Sequence, residues 1–238
     1  MAGVTDGEFC TGMIKYGFDL LTLGGYNAEE RSIEAGLKII KRGRKEFHVD
    51  QKDLLNHIRT EASYIKVHGK EMVDVSVNLR VRTPDPVIQI SKIPEVDVVE
   101  INAHCRQPEL VESGFGQALM DDPDLIHDLT YDIVNNCSKK VSVKIRANVS
   151  DVNYLQVIKA VEDAGAHYLH VDAMKPGFDG ADYNFIKFLK KNTDIFIIGN
   201  NSIRDLVSAR KMLSSGADGI SIARAAIHGD LPFDLSII

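Results

Sequence analysis

Four side chains able to hold or transfer protons lie close together near the middle of the chain. They lie at the end of the short run 96–100, VDVVE, and just after it, and are Glu100, Asn102, His104 and Cys105. A run rich in β-branched apolar residues predicts a buried strand, and polar groups at its carboxyl end are typical of catalytic sites in parallel α/β folds. The loop that follows contains glycines at 114 and 116, whose backbone can lie close to a flat ligand.

Other polar residues occur at the ends of further predicted strands. These residues are Asn78, Lys144, Arg146, His170, Asn200 and Arg224. Because the carboxyl ends of parallel strands meet at one rim, we expect these side chains to converge with the central cluster. The last two junctions, GNNS and ARAA, occupy loops where a barrel of this kind commonly binds phosphate.

The elements that position these residues alternate between helices and strands. We predict seven strands near residues 20, 75, 98, 142, 169, 197 and 220, with the second reaching its polar end at Asn78. Glycines at 17, 165 and 216 each end a helix and lead directly into an apolar strand, as in parallel βα units. Thr5 is predicted to cap the first helix, and Ser202 with Asp205 to cap the helix that ends at Leu213.

The fold class is therefore α/β, a (β/α)₈ TIM barrel in one domain over residues 1–238. We expect its first strand to lie before Met1: either the true start is upstream, which is the hypothesis we favour, or strand one is truncated. The net charge of −6 gives no global attraction to nucleic acid or to an anionic membrane. Three cysteines without metal-type spacing and the lack of a signal pattern favour a reduced, cytoplasmic protein with no metal site and no membrane anchor.

Taken in order, the segments MAGVTD, EINAHC with SGFGQAL, VSVKIR, LHV with GFDGADY, IIGNNSI and ADGISIARAAI resemble the successive motifs of the tRNA-dihydrouridine synthase family. Members of that family are FMN-dependent TIM-barrel reductases related to dihydroorotate dehydrogenase. The resemblance covers nearly the whole chain. It implies an oxidoreductase that reduces a C=C bond of a uracil-type base by hydride transfer from flavin.

The resemblance also implies roles for individual residues. Cys105 matches the catalytic cysteine, a general acid that must be a protonated thiol. The residues matched to FMN binding are Ala2, Gly3, Asn78, Asn102, Lys144, His170, Asn200, Asn201, Ala223 and Arg224. Those expected to contact substrate are Asn102, His104, Arg106, Arg146 and Asp172. A cation such as Lys144 near the pyrimidine end of reduced FMN would stabilise its negative charge.

The sequence departs from the family pattern at several positions. Asn201, Ala223 and Ala225 replace glycines of the phosphate segments, Asp172 stands where an arginine usually follows the histidine, and Arg106 replaces a proline. We also expect the chain to lack the C-terminal helical domain with which the family grips tRNA. The expected partners are a uracil-type substrate, in tRNA or as a small molecule, NAD(P)H as electron donor, and a second copy of the chain in a homo-oligomer.

Three functions therefore stay open. The first is the tRNA-dihydrouridine synthase-like reductase, the second a small-molecule oxidoreductase of dihydroorotate dehydrogenase type, and the third a non-catalytic barrel that binds a phosphate ligand. Single residues also have structural alternatives: Cys105 as a small buried apolar side chain, Lys144 as an ion-pair partner of Glu100, and His170 as a hydrogen-bonded rim residue.

Overall fold

The computed structural model describes residues 2–69 and 73–238. Within them the strands are β1 (Leu20–Asn27), β2 (Asp74–Arg80), β3 (Val98–Ala103), β4 (Lys140–Arg146), β5 (Tyr168–Asp172), β6 (Phe196–Asn200) and β7 (Gly219–Ser221). The α-helices are α1 (Gly7–Met13), α2 (Glu30–Lys41), α3 (Gln51–His68), α4 (Asp85–Ser91), α5 (Pro108–Glu112), α6 (Pro123–Asn136), α7 (Tyr154–Asp163), α8 (Tyr183–Asn192) and α9 (Leu206–Ser214). Short 3₁₀ helices cover Ile14–Tyr16, Gly116–Asp121, Arg224–Ala226 and Leu235–Ile237.

The seven strands form one parallel sheet in the order of the chain, from β1 to β7. The sheet curls into a half-barrel, and in the described part of the chain β7 is not hydrogen-bonded to β1. All seven predicted strands and the TIM-barrel-like α/β fold are confirmed. The expected strand before Met1 lies outside the described residues and stays a prediction.

Helix ends determine how the chain enters each strand. Gly17, Gly165 and Gly216 have φ angles of 86°, 81° and 108°, the left-handed conformation that ends a helix at glycine. These three joints are as predicted, and they keep the helix-to-strand connections short enough for a parallel sheet.

Two cap predictions are wrong. The cap of α1 is Asp6, whose side chain accepts a hydrogen bond from the Phe9 N–H, while the Thr5 hydroxyl donates to Gly24 O at 2.6 Å. At α9, Asp205 is itself the cap and pairs with Ser208, and Ser202 takes no part. In both cases the cap is the residue next to the first helical turn, because only that residue reaches the free N–H groups there.

The second strand shows how the core and the site divide its residues. Val75, Val77 and Leu79 are fully buried and share one apolar cluster with Ile58 and Ile65 of α3. Burial of each such side chain contributes about 2 kcal/mol. Alternate residues point to the other face of the sheet, into the barrel. That alternation continues past the predicted end at residue 78, since β2 runs to residue 80.

Candidate active site

Strand register brings the predicted site residues to one end of the barrel. Asn102 pairs with Lys144 and Lys144 with His170, whereas Arg146 pairs with Asp172 one layer nearer the rim. These residues line part of a cavity of about 1570 Å³ that runs along the inner face of the sheet, from the amino ends of the strands, at residues such as Leu20, Lys140 and Tyr168, to their carboxyl ends. Its lining includes Ala2, Asn78, Asn102, His104, Cys105, Arg106, Lys144, Arg146, His170, Asp172, Asn200, Asn201, Ala223 and Arg224. Gly3 is absent from the lining and lies against the backbone of Lys45 and Glu46.

Glu100 is the centre of a buried hydrogen-bond network in this cavity. Its carboxylate accepts bonds from Asn78 Nδ2 at 2.7 Å and Ser142 Oγ at 2.9 Å, and it lies 2.7 Å from His170 Nδ1. Asn78 Oδ1 in turn accepts a bond from Asn102 Nδ2 at 2.7 Å. The network therefore spans β2 to β5 and fixes the side chains of Asn78, Glu100, Asn102 and His170. We call these residues, together with Lys144, the cavity floor.

The charges in this network have a definite pattern. Burial opposes ionisation of Glu100, but hydrogen-bonded His170 and nearby Lys144 outweigh it and hold the pKa of this carboxyl well below its ordinary value. Burial, followed by the charge of Lys144, lowers the pKa of His170. Glu100 is thus a carboxylate and His170 a neutral imidazole that donates Nδ1–H to it. The Nε2 atom of His170 is buried and has no hydrogen-bond partner in the described structure.

Lys144 does not pair with Glu100, contrary to the structural alternative considered above. Its ammonium group forms no ion pair or hydrogen bond with any of the described residues, although it lines the cavity. Burial lowers the pKa of Lys144, and the negative charges of Glu100 and Asp172 oppose that shift. A cation without a fixed partner is therefore available to a ligand at the cavity floor.

The backbone of Cys105 is held by hydrogen bonds to both its N–H and its C=O group. Asn102 Oδ1 accepts the backbone N–H of Cys105 at 3.0 Å, and Gln117 N–H donates to Cys105 O at 2.9 Å. Gly116 has φ of +64°, and a Cβ there would lie 2.3 Å from Cys105 O, so only glycine fits without displacement. Cys105 is 8% exposed and packs with a small apolar cluster formed by Ala35, Ile39, Leu110 and Phe115.

A second network lies nearer the rim. Asp172 accepts hydrogen bonds from Arg146 Nη2 at 2.8 Å and Asn201 Nδ2 at 2.7 Å, and Arg146 Nε donates to His104 O at 2.8 Å. Burial opposes ionisation of Asp172, but His104, Arg146 and Asn201 keep its pKa below the ordinary range. Burial lowers the pKa of His104 to about 4, so this imidazole is neutral at pH 7. Three of the predicted substrate contacts, at 104, 146 and 172, are thus in one network, whereas Arg106 is exposed.

The predicted phosphate segments also meet at the cavity. Asn201 and Ser202 have φ of 101° and 53°, a left-handed conformation that favours glycine. Asn201 thus keeps the backbone shape that a glycine would have, and asparagine tolerates it better than most residues. Arg224 begins a 3₁₀ helix, is exposed, and its Nη2 lies 3.4 Å from Asn201 Oδ1.

Two residues of the cavity had no predicted role. Glu100 was visible in the sequence as part of the central cluster, but its partners were not. Arg80 is 2% exposed and lines the cavity two positions after Asn78. The period of two along a strand places both on the same face, which is the signal that could have found it.

A half-barrel of parallel strands with a polar cavity at their carboxyl ends places the chain among the TIM-barrel-like α/β proteins. The solved thiamine phosphate pyrophosphorylase from Pyrococcus furiosus has the same general fold, with a TM-score of 0.54 at 13% identity over 94% of this chain and 81% of that one. Residues 48–230 match the family model for dihydrouridine synthase (Dus). The chain belongs to this family.

Two relatives show how far the similarity extends. An uncharacterized protein of Methanocaldococcus jannaschii, MJ0144, is 35% identical over 97% of this chain and 88% of its own length. The tRNA-dihydrouridine synthase B of Proteus vulgaris is 31% identical over 71% of this chain. That match spans 55% of the Proteus protein, so the chain corresponds to about half of it.

The residues present fit an FMN group. The cavity is large enough for a flavin, its floor offers the unpaired cation of Lys144 and the unpartnered Nε2 of His170, and Gly25 leaves the backbone close to Asn78, where a Cβ would lie 2.4 Å from Oδ1. Within residues 2–69 and 73–238, no group of three or more His, Cys, Asp or Glu side chains is arranged to hold a metal ion. None of the helices described there is both long and apolar enough to cross a bilayer.

Proposed function

We propose that this protein is an FMN-dependent oxidoreductase that reduces the C=C bond of a uracil-type base, with uridine in tRNA as the substrate. The observation that carries the proposal is that two groups on the cavity floor, the Lys144 ammonium and His170 Nε2, both lack a hydrogen-bond or ion-pair partner among the described residues. Membership of the dihydrouridine synthase family and the relatives named for tRNA support the choice of substrate.

Bound FMN would supply a hydride to one carbon of the C=C bond. Lys144 would bind the pyrimidine end of the cofactor, where negative charge appears on reduction. The lone pair on His170 Nε2 accepts a hydrogen bond from an N–H or O–H group of the ligand, because Glu100 holds the proton on Nδ1. Asn200, Asn201, Ala223 and Arg224 would hold the phosphate, and Ala2, which lines the cavity, would border the ring.

Cys105 would donate the proton to the other carbon of the bond. Its backbone is fixed by Asn102 and Gln117, and Asn102 also belongs to the proposed cofactor site, so one residue would position both the acid and the cofactor. General acid catalysis of this kind contributes on the order of 10² to 10⁴ in rate. Asn102, His104, Arg106, Arg146 and Asp172 would contact the base and its ribose. NAD(P)H would serve as electron donor, and a homo-oligomer is part of the same proposal.

The first experiment measures cofactor content. We expect the purified protein to show flavin absorption bands and to release FMN on denaturation. Lys144→Met should lose most of the flavin, whereas Lys190→Met should keep it, because Lys190 is exposed and pairs with Asp218 at 2.9 Å. A colourless wild-type protein that takes up no added FMN would reject both reductase functions and leave the phosphate-binding barrel.

The second experiment identifies the substrate class. The flavin-loaded protein is supplied with NADPH and either an unmodified tRNA transcript or free uracil, uridine and orotate, and dihydropyrimidine is measured by mass spectrometry. Product in the tRNA supports the proposal. Product only from the small pyrimidines would instead favour the oxidoreductase of dihydroorotate dehydrogenase type.

A further inference from the structure

A second, smaller cavity adjoins the first beyond the carboxyl ends of β5 and β6. Its volume is about 400 Å³, and we call it the side cavity. The linings of the two cavities share Arg106, Arg204 and Arg224, among other residues. The two spaces are therefore continuous, and a molecule with one group in the larger cavity can extend into the side cavity.

One wall of the side cavity is the loop 174–181, which connects β5 to α8. Met174 and Ala181 form an antiparallel bridge that closes the base of this loop. Near its tip, the Asp179 carboxylate accepts hydrogen bonds from both terminal nitrogens of Arg204, which follows β6. The loop is thus held at its base and near its tip, so the residues between these points have a defined position.

Phe178 presents an aromatic ring from this loop to the side cavity. It is 58% exposed, and the Lys175 ammonium lies 5.8 Å from its ring centroid. The ring also lies against Gly180, where a Cβ would be 2.7 Å from Cε1. More than half of Phe178 is therefore open to a flat ligand. Exposed aromatic rings beside cations are typical of sites for single-stranded nucleic acid, because bases stack on the ring and phosphates attract the cation.

The side cavity is positively charged, although the net charge of the chain is −6. Its described lining residues include four cations, Arg106, Lys175, Arg204 and Arg224, and one carboxylate, Asp179, which leaves a surplus of three positive charges. Arg204 is neutralised by Asp179, and Arg224 belongs to the proposed phosphate end of the cofactor. Arg106 and Lys175 are therefore available to a second anionic group.

We propose that the side cavity binds the nucleotide next to the target uridine, with its base stacked on Phe178 and its phosphate held by Arg106 and Lys175. This inference rests on the proposed function and names the part of the RNA that lies outside the larger cavity. When the target base enters the larger cavity, the strand attached to it must continue from the opening, where the side cavity begins. Because every base has a flat face, such stacking holds the strand whatever its sequence.

The test measures RNA binding without turnover. The purified whole chain is titrated into fluorescein-labelled decauridine with no electron donor present, and fluorescence anisotropy gives the Kd. Phe178→Ala should raise the Kd on the order of tenfold, whereas Phe178→Tyr should bind as the wild type does, because it keeps an aromatic ring. Tyr131→Ala is the control and should leave the Kd unchanged, since Tyr131 is a 50% exposed aromatic residue of α6 that lines neither cavity.

A second pair of variants tests the phosphate contact. Lys175→Gln should lower the slope of log Kd against log salt concentration by about 0.7, the value for one phosphate contact on a single strand. Lys191→Gln should not change the slope, because Lys191 is exposed at the end of α8 and lines neither cavity.

Three results would each overturn the proposal: no binding of decauridine by the wild type, an unchanged Kd in Phe178→Ala, or an unchanged salt slope in Lys175→Gln. The proposed function is decided separately, by flavin content and by the dihydropyrimidine product. A failure of the side cavity to bind RNA is therefore distinguishable from a failure of the reductase function.

Discussion

Replacement of His104 should flatten the dependence of stability on pH. Burial lowers the pKa of His104 from 6.5 to about 4 in the folded protein, although Asp172 lies 3.7 Å from its Nδ1 and opposes the shift. Between these two pH values the unfolded chain binds a proton at residue 104 that the folded chain does not. Stability is therefore complete above pH 6.5 and falls as the pH is lowered towards 4.

The size of the effect follows from the shift. One pKa unit corresponds to about 1.36 kcal/mol, so the free energy of unfolding should fall by about 2 kcal/mol between pH 7 and pH 5 because of this residue. His104→Gln removes the titrating group and keeps a polar side chain. The variant should lose about 2 kcal/mol less than the wild type over this interval. Other groups titrate in both proteins, so their contributions cancel in the comparison.

Urea unfolding followed by far-UV circular dichroism at pH 5, 6 and 7 gives the two free-energy curves. If the curves of wild type and His104→Gln run parallel, the pKa of His104 is the same in the folded and unfolded protein, and the lowered pKa assigned to this buried imidazole is wrong. The absolute stability of the variant does not affect this conclusion, because only the difference in slope is used.

Two further predictions concern the backbone. In the same urea assay, Gly116→Ala should lower the free energy of unfolding by at least about 2 kcal/mol more than Gly229→Ala. Gly229 is the control because it also has a positive φ, at +86°, but has open space around it. Equal losses of unfolding free energy would show that the Cys105 loop can shift to make room for a Cβ. Asp205→Ala should cost about 1 kcal/mol by removing the cap of α9, while Ser202→Ala should not remove it; the reverse order would restore the original cap prediction.

The strands and their order could be predicted because the signals are local. Each strand is a short β-branched run, and each of the glycines at 17, 165 and 216 fixes a helix end within a few residues of the next strand. The convergence of the polar strand ends follows from parallel topology alone. This is why nearly all residues chosen for a site line a single cavity, whatever their individual roles prove to be.

The partners within the cavity could not be predicted in the same way. Glu100 has both Lys144 and His170 on strands across from it, and the choice of His170 depends on the stagger between β3 and β5. Arg80 was missed because its burial depends on Glu46, which lies in an irregular loop with no periodicity to read. Side-chain partners of this kind are set by tertiary packing, whereas strand position is set by the nearby sequence.

The distribution of charge along the cavity bears on the kind of ligand it accepts. At middle depth Arg146 is paired with Asp172, so the residue that replaces the usual arginine of the family leaves this layer without net charge. Positive charge without an ion pair among the described residues is found below it, at Lys144, and above it, at Arg106 and Arg224. A molecule with one anionic group at each end and a neutral middle matches that order. The proposed cofactor, reduced FMN, has this form, with charge on its pyrimidine ring and on its phosphate. Under the proposed function, the substitution at residue 172 would therefore alter the substrate layer and leave both cofactor ends intact.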